Sequence, residues 1–120
     1  MEQLPQRVNA DERLVWRGRF LSTTFMVESD DDMYLVKVSE GRIASVTRGP
    51  FAQPSWSFAM RAPSKSWEQF WLPLPPPGFN DLLALIKHGG LRVEGDMHVF
   101  MANLLYFKAV MATLRTQENA

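Results

Sequence analysis

The apolar pattern turns from strand-like to helical at Pro63, and that change restricts the fold more than any other feature. Before it, apolar residues recur at every second position. In the run 33–40 (MYLVKVSE), Tyr34, Val36 and Val38 share one face and Lys37 and Ser39 the other, the signature of a half-buried strand. Glu40-Gly41 joins it to the run 42–48 (RIASVTR), where Ile43 alternates with Ala44 and Val46 falls on the face of Ala44. A Gly-containing tight turn between two such runs predicts a hairpin. The run 56–62 (WSFAMRA) aligns Trp56, Phe58 and Met60, and Asp30 to Asp32 reads as a solvated turn. Upstream, 13–29 is rich in β-branched and aromatic residues and reads as a strand with Gly18 as its bend. Residues 1–13 are polar, carry Pro5, and are expected as a loose arm or a short helix. Four antiparallel strands are therefore expected by residue 62.

Beyond Pro63 the spacing is helical. Ser64 is the N-cap candidate of a helix that aligns Trp67, Phe70 and Trp71. The run 72–79 (LPLPPPGF) interrupts it, because consecutive prolines cannot continue a helix. We read it as a rigid connector and not as a polyproline ligand, since it has no basic flank. Asn80 or Asp81 caps the next helix, whose expected stripe is Leu82, Leu83 and Ile86 and whose stop is Gly89-Gly90. Residues 91–95 (LRVEG) form a fifth strand with Leu91 and Val93 inward, and Asp96 caps a final helix. The expected order is β-β-β-β-α-α-β-α. Strands first and helices later predict an α+β domain, a five-stranded antiparallel sheet covered on one face by helices.

That last helix carries more apolar surface than one core contact uses. Phe100, Leu104, Phe107, Met111 and Leu114 make one stripe, while Val99, Met101, Leu105, Tyr106 and Val110 lie off it. A helix apolar on most sides must bury a second face. Two occupants fit: an apolar ligand, for which Met97, Met101 and Met111 supply an adaptable wall, or a subunit partner.

Composition narrows the chemistry. With 120 residues the chain is expected as a single domain over 14–115, followed by a tail at 116–120. Thirteen basic and thirteen acidic residues give zero net charge, so no basic excess exists for nucleic acid or for electrostatic attachment to anionic membranes. No cysteine is present, which excludes disulfides and thiolate chemistry. The polar start and the lack of a ~20-residue apolar run predict a soluble, cytoplasmic protein with no integral membrane segment. His88, His98 and Asp96 are too few for a metal site. No nucleophile elbow or phosphate loop appears, so no enzyme, catalytic residue, metal or cofactor is expected.

The element from Leu91 through Gly95-Asp96-Met97 into an apolar helix containing Met101 resembles the signature of the sterol carrier protein type 2 sterol-binding family. Residues 34–46, with central Gly41, resemble that family's sheet hairpin. Residues 56–70 resemble its fourth strand and following helix, with Phe70 as the aromatic. The likeness spans about residues 20–105. The chain departs from the family in its short polar start, in the prolines of 72–79, and in Ala102 and Asn103 after Met101. The resemblance implies non-enzymatic binding of a fatty acyl, sterol-like or other lipid in a cavity between sheet and helices. On that reading Trp67, Phe70 and Trp71, then Phe79, Leu82, Leu83 and Ile86, then Phe100, Met101, Leu104 and Leu105 exclude water from the ligand collectively. The alternative is a structural or accessory domain whose same apolar surface is a homodimer interface.

Overall fold

The computed structural model describes residues 1–52 and 54–115; the expected tail at 116–120 lies outside them. Two short helices come first, α1 (Leu4–Asn9) and α2 (Glu12–Arg17). Strands β1 (Thr23–Ser29), β2 (Asp32–Ser39), β3 (Arg42–Arg48) and β4 (Phe58–Ala62) follow, then α3 (Ser64–Phe70) and α4 (Leu82–His88). β5 (Arg92–Gly95), α5 (Met97–Ala102) and α6 (Leu104–Ala112) complete the domain. The α+β class and the five strands agree with the sequence pattern.

The sheet order is β3-β2-β1-β4-β5. Glu40 and Gly41 both have positive φ, 50° and 79°, which is the type I′ geometry that suits a two-residue hairpin between β2 and β3. One pairing corrects the all-antiparallel expectation. The connection 49–57 carries the chain from the β3 edge past β2 and β1, so β4 enters parallel to β1, with Phe25 opposite Phe58 and Val27 opposite Met60. The sheet is mixed.

The N-terminal third needs the largest correction. Of the two expectations for residues 1–13 the short helix holds and the loose arm does not: Leu4 and Val8 of α1 are fully buried in the core. Residues 12–17 are helical and not a strand, because Asp11 accepts a hydrogen bond from the Leu14 amide at 3.1 Å and starts α2. Downstream, Asp81 and Asp96 cap α4 and α5 by bonding the amides of Ala84 (2.8 Å) and Val99 (3.1 Å), as their sequence positions imply. α3 is capped differently. Its Ser64 is the first helical residue, and the cap is Asp30 from the β1–β2 turn, whose carboxylate accepts from the Ser64 amide at 3.1 Å and from its hydroxyl. Those bonds hold the Asp30 carboxyl below its usual range.

Alternate strand residues, Phe25 and Val27, Val36 and Val38, Phe58 and Met60, meet the helices in one core. The opposite face carries Lys37 and an ion triad in which Arg61 bridges Glu28 and Glu94, the latter at 3.0 Å.

Candidate ligand-binding site

The space between sheet and helices is filled by aromatic rings. Phe58 lies 5.4 Å from Phe25, 5.3 Å from Phe100 and 4.8 Å from Phe107, and Phe100 stacks on Phe107 at 6.2 Å. All four side chains are fully buried. Rings packed at these separations gain edge-to-face and offset contacts beyond their area burial.

This disperses the eleven expected ligand residues. Trp67, Phe70, Leu82 and Phe100 are core. The Trp67 indole donates to the Glu28 carbonyl at 3.0 Å and stacks on half-buried Trp71, whose own indole donates to the Met111 carbonyl at 2.9 Å. Leu83 and Ile86 point outward, 43 % and 41 % exposed, because α4 docks through Leu82 and Leu85 instead of the stripe expected from its leucines. Phe79 is half-buried and lines a separate cleft of about 230 Å³ with Lys65, Ser66 and Gln69.

The remaining three, Met101, Leu104 and Leu105, come together. The expected single C-terminal helix is two helices, broken at Asn103, whose side-chain amide donates to the Val99 carbonyl at 3.0 Å and closes α5. The break turns Leu104 and Leu105 beside Met101 along a surface cleft of about 460 Å³, completed by Arg17, Ala102, Asn103 and Tyr106. That volume lies within the ~300–1,000 Å³ of small-molecule sites. Arg17 is the one charged residue on its wall. Tyr106 forms the base: its hydroxyl donates to the Gly41 carbonyl at 2.7 Å, and burial pushes its phenol up to about 12. The arrangement can hold an apolar chain along the thioether and leucines with a polar end near a guanidinium.

Arg17 escapes the sequence reading, and Tyr106 enters it only as apolar surplus off the helix stripe. The composition of 13–29 places Arg17 on a strand, although Asp11-Glu12 ahead of an apolar run is a helix-start signal that puts it at the end of α2. Among the described residues, no three His, Asp or Glu side chains cluster in a way that could hold a metal ion, and no helix is long and apolar enough to cross a membrane.

No protein-family model and no curated protein matches the chain. Solved structures do. Sterol carrier protein 2 superposes with a TM-score of 0.75 at 10% identity, covering 96% of this chain and 92% of that one. A conserved hypothetical protein of Thermus thermophilus gives 0.66 at 10% identity, covering 98% and 87%. The ubiquinone synthesis protein UbiJ-SCP2 gives 0.60 at 22% identity, covering 92% and 84%. At these identities the agreement concerns the fold. By its fold, this chain is a sterol carrier protein 2-like α+β domain.

Proposed function

We propose that the chain is a non-enzymatic cytoplasmic binder or carrier of an apolar ligand, of the fatty acyl or sterol-like class, taken up at the α5–α6 cleft. The observation that carries this reading is the 460 Å³ cleft, with Met101, Leu104 and Leu105 on its wall and Arg17 as its one charge. The fold shared with sterol carrier protein 2 supports it. Removing apolar surface from water at about 25 cal/mol per Å² supplies the affinity, and the guanidinium favours an anionic or polar end.

Native mass spectrometry of protein purified without detergent tests the proposal. A stoichiometric adduct of lipid mass is the expected result, identified after solvent extraction. The variant Met101→Asp tests the location: Met101 is half-exposed, so the fold tolerates the change. Uptake of a fluorescent fatty acid should fall about tenfold or more, since an unpaired carboxylate against an apolar chain costs at least ~1.4 kcal/mol. A folded Met101→Asp protein with wild-type uptake places the ligand elsewhere. A wild type that takes up neither fatty acid nor sterol leaves the interaction-domain reading, for which the outward Leu83 and Ile86 of α4 provide a surface.

A further inference from the structure

The ion triad on the far face of the sheet stands beside a cleft of about 280 Å³ that the α5–α6 site does not use. Strand register builds its wall. Glu28 of β1 lies opposite Arg61 of β4, and Arg61 lies opposite Arg92 of β5, so one carboxylate and two guanidinium groups form a row across three strands. Like charges directly opposite on neighbouring strands repel. Arg61 is compensated twice, donating to Glu28 and, at 3.0 Å, to Glu94. It thereby takes the acid that sits two residues along β5 from Arg92. Arg92 is exposed, and its guanidinium enters no ion pair or hydrogen bond among the described residues. A second carboxylate comes from the β1–β2 turn. Asp30 receives both Ser64 bonds on Oδ2, which leaves Oδ1 with no hydrogen bond among the described residues, and Glu28 bonds Arg61 through Oε2 alone. Ala62 and Pro63 complete the wall, and Gly90 adds no side chain to it.

We propose that this cleft binds a small zwitterion with its ammonium and carboxylate on one carbon, a free amino acid. The carboxylate pairs with the Arg92 guanidinium, whose planar fork matches two oxygens at once. The ammonium, with three N–H donors, reaches the spare oxygens of Asp30 and Glu28. Charge selects this class. A lone anion would meet Glu28, Asp30 and Glu94, and a lone cation would meet Arg61 and Arg92. A molecule carrying both charges finds an opposite charge for each end. The volume falls just below the ~300 Å³ at which drug-sized sites begin, so the occupant is small. Ala62 and Pro63 offer a short apolar side chain its contact. This cleft shares no lining residue with the α5–α6 cleft, so the two sites are tested separately.

Titration of L-alanine into the isotope-labelled full chain, followed by NMR, is the test. The amide signals of Ala62, Gly90 and Arg92 should move together and saturate in the millimolar range, and binding should weaken as salt is raised. Arg92→Gln should lower the affinity about tenfold. Because that guanidinium bonds nothing in the fold, the variant should keep the wild-type melting temperature and fatty-acid uptake. Two ligand analogues remove one charge each and leave the protein intact. N-acetyl-L-alanine, without the ammonium, and L-alaninamide, without the carboxylate, should each bind about tenfold more weakly. Absence of a saturable shift overturns the proposal, and so does wild-type affinity in the Arg92→Gln protein. N-acetyl-L-alanine binding as tightly as alanine would make the cleft a plain anion site, and equal binding of L-alaninamide a cation site; either result overturns the zwitterion. Alanine binding by a protein that takes up no fatty acid supports this site and refutes the carrier reading alone.

Discussion

Tyr106 shows how much one side chain organises. Its ring occupies the space beside Gly18, where an added Cβ would sit 2.3 Å from a ring carbon, and its hydroxyl reaches the turn at Gly41. Gly18 is therefore needed for room and not for a bend; its φ of −95° is open to any residue. Burial raises the phenol from 10.0 to about 12. The fold favours the neutral form, so this contribution is fully present below pH 10 and is lost as pH rises from 10 toward 12. Tyr106→Phe keeps the ring and removes the donor. It should cost about 1 kcal/mol at neutral pH. It should also lose less stability than wild type between pH 9 and 11, measured by urea denaturation. An identical alkaline loss in both proteins would assign the titration to another group.

At the scale of elements, the edge strand β3 carries a device of the same economy. Ile43 pairs with Val38 and Val46 with Val36, so three steps on β3 oppose two on β2. This bulge brings two residues of opposite parity to the core side, which resolves the mismatch of Ile43 and Val46 in the sequence. Beside it, the Asn9 amide donates to the Ile43 carbonyl at 3.1 Å and accepts from the Ile43 amide at 2.8 Å, standing in for a neighbouring strand. An exposed edge invites pairing with another chain. Asn9→Ala should therefore cost about 1–3 kcal/mol and increase self-association, read by denaturation and by light scattering at rising concentration. Unchanged behaviour would show that the edge needs no cover.

The hairpin at Glu40-Gly41 and the caps Asp81 and Asp96 were legible because each depends on residues within a few positions of one another. The parallel β1–β4 pair was not, since nothing in 49–57 states on which side of the sheet it ends. Nor was the cap on α3, whose Asp30 lies 34 positions from Ser64. In the candidate site, Met101 and Leu105 were visible as apolar surplus and Leu104 as part of the core stripe. The leucines of α4 offered two stripes, and only packing selects Leu82 with Leu85 over Leu83 with Ile86.

On the scale of the whole molecule, the two ends of the chain hold each other. The Arg7 guanidinium donates to the carbonyls of Thr113 at 2.8 Å and Arg115 at 3.2 Å, and Arg115 in turn donates to the Phe70 carbonyl at 2.9 Å and stacks on that ring. α1 lies along β3 and seals the core with Leu4 and Val8. A segment that looks like a polar arm is thus a lid on the hydrophobic core. Burying those two side chains is worth roughly 3–6 kcal/mol. That is a large share of the ~5–15 kcal/mol of a typical domain. Deleting residues 1–10 should lower the melting temperature by on the order of 15 °C. A truncated protein that melts with the full chain would make α1 dispensable. Zero net charge conceals a comparable segregation: Arg17 at the end of α2 lines the apolar cleft, while Glu28, Arg61 and Glu94 neutralise one another on the far face of the sheet.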